Sequence, residues 1–183
     1  MEDTMNTSRF IENVIEQIKE VQLKLGFVKE SIRLYYPVES LCRLLQIEHK
    51  NGKELLTLLK TEESLFHTNL GKIQFSLSKG RMEVGISSVG AAYVQEYIPN
   101  PPFLTSIIQL FQEKHNPSIK EICACFAQFN KDYVCEQMEL GQDFDYVLYF
   151  PQKEPDAWFY CIRTEMEHTI YHRFTEEDYK TMI

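Results

Sequence analysis

Apolar residues at Ile11, Val14, Ile15, Ile18, Val21 and Leu25 recur every three or four positions, the spacing that lines one face of a helix. Residues 8–25 are therefore predicted helical, with Ser8 to cap the start and Gly26 to end it. A second helix is expected over 28–36, because Pro37 disfavours helical backbone in the residue before it and suits the opening of the next helix, which carries Leu41, Leu44 and Leu45. Asn51 and Glu54 form a capping box ahead of Leu55, Leu56, Leu58 and Leu59, and Thr61 restarts a short helix through Leu65 and Phe66. At Lys72 the period changes to two. Ile73, Phe75 and Leu77 alternate with Gln74 and Ser76, Lys79-Gly80 offers a turn, and Met82, Val84 and Ile86 alternate again, which reads as a β-hairpin with one buried face. A helix over 91–98 follows, and Pro99-Asn100-Pro101-Pro102 stops it.

The second half opens with a helix bearing Phe103, Leu104, Ile107, Ile108 and Phe111. Ser118 and Glu121 form a capping box for another, carrying Ile122 and Phe126, and a short third helix is expected over 131–139. Phe144, Tyr146, Leu148 and Phe150 predict a strand, residues 157–163 a second and 168–174 a third, before Thr175 and Asp178 cap a closing helix. The class is α+β, mostly helical with antiparallel β-hairpins. The halves, 1–98 and 103–183, share an order of helices followed by a hairpin, with Leu70-Gly71 and Leu140-Gly141 at matching junctions; they are expected either as tandem winged-helix-like units or packed as one domain.

Composition narrows the function classes. With 44% hydrophobic and 13% aromatic residues among 183, the chain can bury a core. The net charge of −8 repels phosphate backbones, and the densest cationic stretches, Lys114 to Lys120 and Lys79 to Arg81, hold two Lys or Arg each. Nucleic acid is not the expected partner; another protein is. No apolar run is long enough to cross a membrane, the polar start has no export signal, and five cysteines at irregular spacing (Cys42, Cys123, Cys125, Cys135, Cys161) suit reduced thiols in the cytoplasm.

Candidate chemistry is sparse. His168 and His172, with Glu165 and Glu167 upstream, have zinc-ligand spacing for a helix, but Ile170, Tyr171 and Phe174 favour a strand, where positions four apart lie about 13 Å from each other. Cys123-Ala-Cys125 in mid-helix projects its thiols about 200° apart, as packed core thiols do. Gly85-Ile-Ser-Ser-Val-Gly90 resembles a nucleophile elbow with its second glycine one position late, and a tight connection explains it as well. Glu139, Asp143 and Asp145 read as solvated carboxylates rather than a cation site. Neither a metal nor a cofactor is expected. Trp158-Phe159-Tyr160 is the heaviest aromatic cluster: Trp158 and Tyr160 share one strand face, so either both faces are buried or Trp158 and Tyr160 offer a partner surface.

Arg33-Leu-Tyr-Tyr-Pro-Val-Glu-Ser-Leu41, with Leu23-Lys-Leu-Gly26 upstream, resembles an uncharacterised family from gut clostridia catalogued as a domain of unknown function. The resemblance covers mainly residues 23–41, implies a bacterial cytosolic protein, and brings no active residues with it. Three functions stand: a non-catalytic protein-binding adaptor, a winged-helix DNA-binding regulator opposed by Glu62-Glu63 and by Asp132 and Glu136 in its groove-entering helices, and an enzyme whose residues meet only in space.

Overall fold

A computed structural model describes residues 5–27 and 30–183. The chain forms two compact units, Met1–Pro99 and Asn100–Ile183. Helices and two antiparallel sheets make an α+β fold.

In the first unit α1 (Thr7–Leu25) starts one residue earlier than predicted. Asn6, not Ser8, is its cap, accepting from the Arg9 amide, while Gly26 in the left-handed region (φ 72°) ends it. The helix expected over 28–36 is not a helix: Ile32–Pro37 is strand β1, with Ile32, Leu34 and Tyr36 buried and Arg33, Tyr35 and Pro37 exposed. That alternation was in the sequence, but Pro37 there both ends the strand and precedes α2 (Val38–Leu45). Val28 and Lys29 lie outside the described residues. The Asn51–Glu54 capping box opens α3 (Gly52–Thr61), and a 3-10 turn, Glu63–Phe66, follows.

Strands β2 (Gln74–Ser78) and β3 (Arg81–Ile86) form the predicted hairpin, and β1 pairs with β3, giving the order β1-β3-β2. Lys79 (φ 49°) and Gly80 (φ 77°) both adopt positive φ, which a two-residue turn matching the strand twist requires. α4 (Ser88–Tyr97) then lies on α1: Lys19 Nζ donates to the Val94 carbonyl at 3.1 Å and Gln22 Nε2 to that of Ala91 at 2.8 Å. Phe10, Val14, Ile18, Leu41, Leu55, Leu59, Met82 and Val84, all at 0% exposure, fill the core these elements enclose.

Lys19 is itself 2% exposed, and burial lowers its pKa from the ordinary 10.5. Between the lowered folded value and 10.5 the unfolded chain binds more protons than the folded one, so stability climbs as pH rises through that window. The urea midpoint of the first unit should therefore rise from about pH 8 to about pH 10 relative to that of Lys19→Met, which lacks the titrating group. Parallel curves for the two proteins would refute it.

The second unit does not repeat the first. α5 (Pro102–Glu113) and α6 (Ile119–Phe129), the latter opened by the Ser118–Glu121 capping box, are followed by a four-stranded meander, β4 (Val134–Gln137), β5 (Tyr146–Tyr149), β6 (Phe159–Glu165) and β7 (His168–Phe174), and by α7 (Glu176–Met182). The helix expected over 131–139 is thus corrected to an edge strand. Its Lys, Glu and Gln residues favour a helix locally, but pairing with β5 wins, and polar side chains are what an exposed edge needs. The matching junctions also part company: Leu70 is 1% exposed and Leu140 fully exposed.

Candidate functional site

None of the sequence-marked residues assembles a reactive centre. Trp158 and Tyr160 are 6% and 0% exposed, which is the alternative of a strand buried on both faces. The physical reason is that the second sheet is covered on both faces. Tyr160 packs edge-on against Phe103 of α5 and Phe126 of α6, at 5.5 Å each, while Phe159 on the other face stacks between Tyr149 (4.3 Å) and Tyr179 of α7 (4.8 Å). Trp158 lies under the Arg173 guanidinium, 4.5 Å from the ring. Asp156 satisfies the polar ends, accepting from the Trp158 amide at 2.7 Å and the Tyr160 hydroxyl at 3.0 Å; burial and this carboxylate push the Tyr160 pKa up.

His168 and His172 lie on β7, opposite Glu165 and Cys161, and are both exposed. Among the described residues, no three His, Cys, Asp or Glu gather where they could share an ion. Gly85 belongs to β3 and Gly90 to the first turn of α4, where a Cβ would stand 2.5 Å from the Leu70 carbonyl oxygen. This glycine is a packing requirement, and the segment is the tight connection rather than an elbow. Cys125 is buried in α6, and desolvation raises its pKa, which keeps the thiol inert.

Two surface features stand out in the first unit. Across the outer face of its sheet Arg33, Gly85 and Gln74 stand in one row, and the missing side chain at Gly85 leaves a hollow of about 440 Å³, also lined by Lys60 and Lys72. Its charges largely answer one another. Arg33 lies 3.7 Å from Glu83, and Lys72 sits 2.8 Å from Glu63, whose pKa that hydrogen bond lowers.

The second feature is α4. Gly90, Ala91 and Val94 turn inward, which leaves Val89 and Tyr97 exposed on either side of a Tyr93 half-buried against the core, the three spaced four apart. Val89 and Tyr97 are each 64% exposed, Tyr93 and Tyr97 stack at 5.3 Å, and Asn69 donates to the Tyr93 hydroxyl at 3.1 Å, holding the rings in place. Lys19 opposes Val94 and Gln22 opposes Ala91, so α1 runs antiparallel to α4 and carries exposed Leu25 and Phe27 toward its Val89 end. Sequence reasoning missed this stripe: the helix it predicted began at Ala91, which left Val89 outside, and it could not tell which side of α4 meets α1.

Charge separates the units. Residues 1–99 hold 12 Lys and Arg against 13 Asp and Glu, whereas residues 100–183 hold 7 against 14. The acidity therefore belongs to the second unit, and the apolar stripe lies in one that is close to neutral.

Residues 7–183 match the family described as "Domain of unknown function, E. rectale Gene description (DUF3877)". No curated protein and no solved structure matches the chain.

Proposed function

We propose, for a chain that belongs to this family of unknown function, a non-catalytic role: it binds another protein through the apolar stripe of α4. The observation that carries this reading is the exposure of Val89 and Tyr97 on either side of Tyr93, on a helix whose opposite side is anchored to α1. Pre-stacked tyrosines lose little entropy on binding and give both apolar area and hydroxyl donors, the qualities of interface anchors. The stripe runs about 12 Å along the helix, enough for the centre of an interface and too short for a whole one, so the partner also covers flanking surface, with Leu25 and Phe27 the nearest apolar additions. A cytoplasmic setting is supported by five cysteines free of disulfides, and no helix among the described residues is long and apolar enough to cross a membrane.

Immobilised full chain at micromolar density should retain one and the same protein from native cytosol, and Val89→Asp with Tyr97→Ala should weaken that retention at least about tenfold, as loss of an anchor does. Both sites are exposed, so circular dichroism of the variant should be unchanged. Equal retention by the variant overturns the α4 site; retention of nothing by the natural chain overturns protein binding.

One observation favours a second reading. The order α1-β1-α2-α3-β2-β3 with sheet order β1-β3-β2 is that of a winged helix, in which α3 would enter a DNA groove and the β2–β3 turn would be the wing. Glu62 and Glu63 lie beyond the end of α3, whose outward side instead presents Lys53, Thr57 and Lys60, with Lys79 and Arg81 at the hairpin turn. Retardation of random duplex DNA at about 50 mM salt that vanishes by about 200 mM, and is abolished by Lys53→Glu with Lys60→Glu, would displace the protein-binding reading. We expect none, because the same surface carries Glu54 and Glu83.

A further inference from the structure

Gly85 occupies the middle strand of the first sheet, and nothing in the strand itself asks for a glycine there. Its pairing is continuous on both sides, with Arg33 on β1 and Gln74 on β2, and Val84 follows in register against Leu34 and Phe75, so there is no bulge. Its φ lies outside the left-handed region that Gly26, Gly71, Gly80 and Gly141 adopt. Crowding does not explain it either. A Cβ at Gly85 would come no nearer than 3.4 Å to Gln74 Cβ and 3.7 Å to backbone, against the 2.5 Å found at Gly90. A glycine inside a strand weakens it, and with bulge, turn and crowding set aside, the use that remains is the close approach of a ligand to the backbone.

The hollow over Gly85, about 440 Å³, has the size of a small-molecule site. Its charged rim comes from separate elements: Arg33 from β1, Glu83 from β3, Lys60 from the last turn of α3, and the Glu63–Lys72 pair from the 3-10 turn and the chain leading into β2. Three cations stand against two carboxylates, a surplus of one positive charge. Lys72 is held by Glu63, but Arg33, 3.7 Å from Glu83, is beyond hydrogen-bond distance, and Lys60 has no ion-pair partner among the described residues. Two cationic heads thus keep donors for a ligand, one of them the planar guanidinium that grips paired oxygens. They match the roughly two negative charges of a phosphate monoester better than the single charge of a carboxylate. Gln74, and Ser76 opposite Glu83, line the same hollow and with that carboxylate offer the acceptors and donors that hydroxyl groups need. We infer that the hollow binds a small phosphorylated polyol of the sugar-phosphate class, its phosphate held by Arg33 and Lys60 and its hydroxyls by Glu83, Ser76 and Gln74. The carbon skeleton lies against the bare backbone of Gly85, where a side chain would exclude it. This site shares no residue with the α4 stripe, so the two readings stand or fall separately.

The test titrates the full, isotope-labelled chain with glucose-6-phosphate, ribose-5-phosphate and glycerol-3-phosphate, and separately with inorganic phosphate, following backbone amides by NMR. At least one of the three esters should shift the amides of Arg33, Gln74 and Gly85, saturate below about 10 mM, and bind more tightly than inorganic phosphate does. Lys60 is exposed, so Lys60→Gln should leave the circular dichroism unchanged while weakening that ester about fivefold, the usual worth of one charged contact. Lys53→Gln, on the same helix but outside the hollow, should not weaken it. Gly85→Val should abolish binding with the urea midpoint of the first unit level or raised, because a β-branched residue suits a strand. Four results overturn the proposal: no ester saturating in that range, inorganic phosphate binding as tightly as the best ester, equal weakening by Lys53→Gln and Lys60→Gln, or full affinity in either Lys60→Gln or Gly85→Val.

Discussion

Phe126→Ala should cost the second unit about 4 kcal/mol, the upper range for deleting a buried aromatic side chain. Phe126 has no exposed surface, and its ring meets Phe103 edge-on at 4.7 Å, stacks on Phe150 at 4.9 Å and contacts Tyr160 at 5.5 Å. These neighbours come from α5, from the end of β5 and from β6, so one deletion loosens a helix pair and the sheet under it together. Relaxation cannot fill the void, because Phe103 is already committed to Phe129, Phe150 and Tyr160. Near-ultraviolet circular dichroism, followed through urea unfolding, should show the aromatic signal of this unit lost at a much lower denaturant concentration. A loss below about 1 kcal/mol would mean that the ring cluster is not the centre of the unit.

Gly90→Ala should destabilise the first unit by about 3 kcal/mol, the usual reach of overpacking, or roughly 15 °C of midpoint for a unit of this size. An added Cβ would stand 2.5 Å from the Leu70 carbonyl oxygen and 2.7 Å from Ile86 Cγ2. The first obstacle is backbone and cannot rotate aside. Alanine is the better helix former, by up to about 1 kcal/mol, so a helix propensity effect would have the opposite sign. Gly26→Ala is the control: nothing lies within 4 Å of a Cβ there, and its cost arises only from the left-handed φ of 72°. Differential scanning calorimetry should show Gly90→Ala shifting the first unit by more than Gly26→Ala does; the reverse order would remove the close packing of α4 on Leu70 as the reason for the glycine.

The adaptor reading could be anticipated only in part. Tyr93 and Tyr97 shared a helical face by spacing, Val89 joined them only because α4 starts at Ser88, and burial on the other side turned that face into a candidate surface. For Trp158 and Tyr160 two alternatives stood open, and burial on both faces is the one the structure has. Their alternation with Phe159 was legible, but whether helices cover one face of a strand or both depends on the distant α5, α6 and α7.

By itself the sequence determined what neighbours three or four residues apart can settle: the capping boxes at Asn51 and Ser118, the left-handed stop at Gly26, the Lys79-Gly80 turn, the Thr175 cap and the alternating faces of the first hairpin. Hydrogen bonds within one turn and φ preferences of single residues carry those features. Only the tertiary structure decided that residues 32–37 and 134–137 are strands, since each gains its backbone partners from β3 or β5 across the chain. The same non-local pairing, which overrides weak local propensity by satisfying a whole row of amides and carbonyls at once, buried the aromatic strand.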